Sequence, residues 1–111
     1  MELRYKVWLE SDGEIVFGDG LSRLLSGVAQ QGSISRAASS MKLSYREAWG
    51  RIKRAEESLG VKLLIKQVGG EEGGGARLTP EAEKLLDRYR KFRAEIEAAM
   101  RKIFEDNFEA Y

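Results

Sequence analysis

The chain has 111 residues, 42% hydrophobic and 33% charged, with no cysteine, no histidine and a formal net charge of +1. That length suits one domain with a modest core, and the missing residues exclude a disulfide framework and a thiolate metal site. They also argue against a zinc site and remove the commonest general base at neutral pH, so neither a metal, a cofactor nor an enzyme activity is expected. No run approaches the ~18 apolar residues of a membrane span, and no apolar signal stretch opens the chain. A soluble, cytoplasmic protein is the expectation.

The first element is a hairpin. In "LRYKVWLE" the residues Leu3, Tyr5, Val7 and Leu9 alternate with polar ones, and "EIVF" returns after Asp12-Gly13. Two apolar runs around an Asp-Gly pair predict a β-hairpin with an inward Leu3-to-Leu9 face. Trp8 falls on the other face, open to a partner or packed on its own domain. Leu21, Leu24, Leu25 and Val28 then recur at helical spacing, with Asp19 placed to cap the start and Gly32 the end. A short helix follows in "ISRAASSM", with Ile34, Ala37, Ala38 and Met41 inward. Its alanines let another helix approach closely.

After the tight connector "KLS", a third helix is predicted from Ser44 to about Leu59, ending at Gly60. Ser44 and Glu47 have capping-box spacing. At 100° per residue, Tyr45, Ala48, Trp49, Ile52, Ala55 and Leu59 fall on one face; Arg46, Gly50, Lys53, Arg54 and Glu57 fall on the other. The expectation is a helix that buries its aromatics and presents its cations. "VKLLIKQ" and "ARLT" read as two strands joined by the glycine-rich "GGEEGGG". That loop lacks the G-K-[ST] ending of a phosphate-binding loop and carries Glu71 and Glu72, which repel phosphate. Thr79-Pro80 opens a last helix reaching Phe104 or beyond.

Charge is uneven along this order. Residues 21–66 carry nine basic and three acidic side chains, whereas residues 1–20 carry two and five. Basic blocks attract phosphate backbones. Two short helices with a tight turn, the second basic on its outer face, form a helix-turn-helix pattern, and the following hairpin makes it a winged helix. Arginine there can meet guanine bidentately, lysine or serine can hold phosphate, and Gly50 permits close approach. Lys62, Lys66 and Arg77 lie on or near the wing strands.

From Gly32 to Leu86 the sequence resembles the N-terminal DNA-binding domain of the molybdate-responsive, ModE-type transcription regulators, which are related to LysR-type winged helices. The resemblance rests on Gly32-Ser33-Ile34-Ser35 with Ala37-Ala38, Ser44-Tyr45 with Ala48-Trp49, the glycine-rich wing and Leu78-Thr79-Pro80. "VWLESDGEIVFGDG" also looks like the family's N-terminal hairpin. The resemblance implies that Ser33, Ser35 and Arg36 touch phosphate and that Ser44, Tyr45, Arg46, Gly50 and Lys53 read the major groove. Trp49 stands at the family's helix tryptophan, and its periodicity favours packing over DNA contact. The acidic wing tip departs from the family and shifts wing contact to Lys66 and Arg77. The family's molybdate-binding domains have no counterpart before Tyr111, so no molybdate site is expected in this chain.

The last helix carries Ala82, Leu85, Tyr89, Phe92, Ile96, Ala99 and Ile103 at alternating steps of 3 and 4, an a/d seam. A second copy is its natural partner, with Leu85, Tyr89, Phe92, Ile96, Ala99 and Ile103 at the interface. The alternative is a helix folded back onto its own domain. The expected class is therefore α+β: a winged helix-turn-helix with an N-terminal hairpin over 1–79, and a long dimerisation helix over 80–111, in one structural domain. The expected function is sequence-specific duplex-DNA binding by a homodimeric transcription regulator, with helix 44–59 in the groove and wing 66–77 near the backbone. The competing reading is a protein-interaction module that uses the last helix and has no sequence-specific DNA binding of its own.

Overall fold

A computed structural model describes residues 1–67, 75–109 and 111. Its elements run β1 (Trp8–Ser11), β2 (Glu14–Gly18), α1 (Asp19–Gln31), α2 (Ile34–Ser40), α3 (Tyr45–Leu59), β3 (Leu64–Gln67), β4 (Gly75–Leu78) and α4 (Pro80–Phe108). This is the α+β winged helix-turn-helix architecture, with two separate two-stranded antiparallel sheets. The wing tip with Glu71 and Glu72 lies outside the described residues.

The hairpin turns as Asp-Gly demands: Asp12 and Gly13 both take positive φ, at 51° and 81°. It is shorter than the alternation suggested. Residues 1–7 form no strand, and Leu3 and Leu9 are exposed, while Tyr5 and Val7 are half-buried. The register explains the loss of pattern. Leu9 faces Phe17 but Glu10 faces Ile15, so Val16 is an extra residue in the ladder. That bulge turns both Val16 and Phe17 inward and leaves Ile15 outside.

Helix α1 does not use Asp19 as its cap. The cap position is Gly18, without a side-chain bond, and Asp19 is the first helical residue. Its carboxylate instead accepts from the Tyr89 hydroxyl of α4 at 2.6 Å and from Arg93 at 3.2 Å. The other expected caps are present: Gly32 and Gly60 close α1 and α3 in the left-handed region, and Ser44 and Thr79 cap α3 and α4; Ser33 caps α2 as well.

The core joins Leu24, Leu25 and Val28 of α1 to Ala37, Ala38, Ala48, Ile52 and Leu63, with Ala82 and Leu86 of α4 closing one side. The α1–α2 approach is close at Gly27, where a Cβ would stand 2.9 Å from that of Ala37. Between α2 and α3, Lys42 adopts φ 57°, and the Leu43 amide returns to the Ala38 carbonyl at 2.9 Å. That bend sets the helix-turn-helix angle.

Twenty-nine residues of α4 extend for about 43 Å at 1.5 Å per residue. The radius of gyration is 16.7 Å, against about 13 Å for a compact chain of this length. Only the first three turns of α4 reach the core. Tyr89, expected on a dimer seam, is 4% exposed inside its own domain, with its ring 4.9 Å from that of Phe17. The ring packs on Phe17 of β2, and its hydroxyl reaches Asp19 at the start of α1. Beyond it Phe92, Ala99 and Ile103 are exposed, and Ile96 is half-buried. Among the described residues, no helix is long and apolar enough to cross a membrane.

Candidate nucleic-acid interface

Helix α3 owes its start to a reciprocal cap. The Glu47 amide donates to the Ser44 hydroxyl at 3.0 Å, and the Ser44 amide donates to the Glu47 carboxylate at 3.2 Å. Ala48, Ile52 and Ala55 then form a narrow inward stripe, small enough to let α3 sit against α1 and α2.

The aromatics are not in that stripe. Tyr45 is 48% exposed and Trp49 36% exposed, contrary to the expectation that the helix buries them. Tyr45 stands in the first turn, ahead of the core, and Trp49 sits 100° round the helix from Ala48. The inward arc they were expected to share is occupied by Glu56, which is buried. Burial pushes its carboxyl pKa up, but amides from Leu63 and Leu64 and the Lys53 ammonium outweigh that and hold it below the ordinary value. The Leu63 amide donates at 2.8 Å. Glu56 therefore ties the end of α3 to the start of the wing. A carboxylate lying within an apolar arc of the helical wheel was the signal for it.

The exposed aromatics are framed by lysines. Lys53 lies 5.3 Å from the centre of the Trp49 ring and 3.4 Å from Glu56. Lys66 of β3 lies 5.5 Å from the Trp49 ring centre and donates to the Tyr45 hydroxyl at 3.3 Å. Such contacts are worth about 0.5–1 kcal/mol each at exposed sites. Behind them a cavity of about 260 Å³ opens between α3 and β3, with Lys53, Lys62 and Lys66 on its wall.

The other expected contact residues are distributed as follows. Arg46 and Arg54 are exposed on α3. Gly50 is half-buried, and a Cβ there would meet the Arg54 guanidinium at 3.3 Å. Ser35 and Arg36 are exposed on the first turn of α2, where the Arg36 amide donates to the Ser33 hydroxyl at 3.0 Å. Arg77 is exposed on β4, across the ladder from Ile65. The fold thus brings α3 and the near wing strand onto one surface.

Known proteins share this fold. A family model described as "Bacterial regulatory helix-turn-helix protein, lysR family" matches residues 21–83. The "Molybdenum transport protein ModE" of Azotobacter vinelandii is 32% identical over 97 residues, covering 87% of this chain and 36% of the relative. The "Transcriptional regulator ModE" of Haemophilus influenzae is 42% identical over 67 residues, covering 60% and 26%. The chain therefore spans about a third or less of the length of these relatives. Among solved structures, a CbnR DNA-binding-domain complex with DNA aligns with a TM-score of 0.58 at 23% identity, over 83% of this chain and 97% of that one. A BenM DNA-binding-domain complex with benA site 1 DNA aligns at 0.60 and 19% identity, over 80% and 94%. At those identities the likeness is one of fold. With the family model matched over more than half of its residues, this chain belongs to the lysR family of bacterial regulatory helix-turn-helix proteins.

Proposed function

We propose that the chain is a sequence-specific, duplex-DNA-binding transcription regulator that acts as a homodimer in the cytoplasm. The observation that carries this reading is the 3.3 Å contact between Lys66 of the wing and Tyr45 in the first turn of α3. It makes one continuous cationic and aromatic surface from a helix and a hairpin. A helix of this kind enters the major groove by its N-terminal turns, and a wing then runs beside the backbone.

On this reading Ser44, Tyr45, Arg46, Gly50, Lys53 and Arg54 face the groove. Ser33, which caps α2, and Ser35 and Arg36 in its first turn contact phosphate through side chains or the helix N-terminus, and Lys66 and Arg77 of the wing do so through their side chains. Residues 1–79 make the DNA-binding part, and residues 80–111 the pairing helix. Phe92, Ile96, Ala99 and Ile103 face the second copy; Leu85 and Tyr89, also expected on the seam, pack against the core of their own domain. The uncovered stripe beyond Tyr89 favours pairing over a helix packed wholly on its own domain. Two-fold pairing sets two α3 helices on one side of the duplex, and a pseudo-palindromic site follows.

Fluorescence anisotropy with duplexes selected from a random pool tests the reading. Binding that weakens as salt rises, and collapses in Arg46→Ala with Arg54→Ala, supports it. Failure of the wild type to bind any duplex at low salt overturns it.

A further inference from the structure

We propose that Trp49, with Tyr45 beside it, is a specificity-determining residue that reads the 5-methyl groups of thymines in the major groove. The inference rests on the DNA-binding reading above and deepens it. Both side chains occupy the first two turns of α3, the part of such a helix that comes nearest the base edges. They are the exposed large apolar groups of α3, with Lys53 and its partner Glu56 beside them. Two exposed aromatic rings linked through one lysine offer apolar surface to a partner. The major groove offers one apolar feature, the thymine methyl; its other signals are hydrogen-bond donors and acceptors.

The lysines on this side are already engaged. Lys53 is held between the Glu56 carboxylate and the Trp49 ring. Lys66 is held by the Tyr45 hydroxyl and lies 6.0 Å from the Tyr45 ring centre. Both ammoniums therefore stand over the aromatic rings, Lys53 and Lys66 each within 5.5 Å of the Trp49 ring centre, where they can also meet a passing phosphate. Guanine contacts fall instead to Arg46 and Arg54, farther round α3. Aromatic surface held between two ammoniums can meet a thymine methyl and a neighbouring phosphate together.

The test uses a duplex enriched from a random pool by the intact chain. Each dT is replaced in turn by dU, which keeps every hydrogen-bonding group and removes only the methyl. Affinity should fall about fourfold at one or two positions, the worth of a buried methyl. In Trp49→Ala at least one of these penalties should vanish, with folding checked by thermal melting. Equal affinity for dT and dU at every position overturns the inference and leaves the regulator reading standing. So do dU penalties that are all unchanged in Trp49→Ala. A wild-type chain that enriches no duplex overturns the regulator reading and this inference with it.

Discussion

The Tyr89 hydroxyl donates to the Asp19 carboxylate at 2.6 Å, joining the long last helix to the first turn of α1 across 70 positions of sequence. Arg93 completes the cluster, with its guanidinium 5.0 Å from the Tyr5 ring centre. One side chain near the middle of α4 thereby decides where the domain ends and where the free helix begins.

The hydrogen bond from Tyr89 is the main reason Asp19 sits below its ordinary value; burial opposes it and Arg93 assists. Burial first, then the bond to Asp19, pushes the Tyr89 hydroxyl up to about 12. A carboxyl lowered by folding adds stability above its unfolded pKa, near 3.8, and loses it as pH falls through the lower folded value. A phenol raised by folding adds stability below pH 10.0 and loses it as pH climbs from there toward 12. Tyr89→Phe should cost about 1.5 kcal/mol near neutrality and flatten the loss of stability above pH 10. Urea denaturation across pH checks both. An unchanged alkaline limb would remove Tyr89 from this role.

Glu56 supplies the acceptor for the buried Leu63 amide, so Glu56→Ala leaves that group unsatisfied at about 1–3 kcal/mol. Glu56→Gln keeps a carbonyl oxygen there and should cost less. The carboxylate's lowered pKa adds to acid lability, with its contribution lost as pH falls below the ordinary 4.5. Chemical denaturation of the two variants orders them. Equal losses would mean that charge, rather than the amide bond, holds the wing to α3.

Gly27→Ala sets helix propensity against packing. Alanine is the better helix former by about 1 kcal/mol, yet its methyl would stand 2.9 Å from the Ala37 Cβ. Overpacking between two helices costs about 1–3 kcal/mol, so a net loss of about 1 kcal/mol is expected. In an Ala37→Gly background the same change should become stabilising. A double-mutant cycle by thermal melting reads the sign change, and additivity would rule out the contact as the cause.

Ile103 is 61% exposed and distant from the core. Ile103→Glu should leave fold stability within about 0.5 kcal/mol at concentrations where the chain is monomeric. Sedimentation equilibrium should show wild-type dimers and mutant monomers, and the mutant should bind a palindromic duplex less tightly. A monomeric wild type at high concentration would leave the stripe without its partner.

Much was already written in local sequence. Asp12-Gly13 specifies a turn that needs positive φ twice, and Ser44 with Glu47 specifies a helix start. Gly32 and Gly60 specify stops, and Thr79-Pro80 opens α4. Each of these depends on a few adjacent backbone groups, so neighbours in the chain suffice to state them. The helix-turn-helix and the wing follow, because short connectors leave few ways to pack such elements.

Tertiary structure decided what happens where distant segments meet. The sequence pattern placed Trp49 and Tyr45 inward, but helical periodicity gives an angle and not the extent of the core that meets it. α3 is covered by small residues along a narrow stripe, and Glu56 fills the rest because amides 7 and 8 residues later come to it. Asp19 looked like a cap until Tyr89 arrived from the far end of the chain. The heptad seam could not separate Tyr89, taken into the core by the bulge at Val16, from Ile103, left outside. Spacing alone is the same for both; only the position at which the core ends tells them apart.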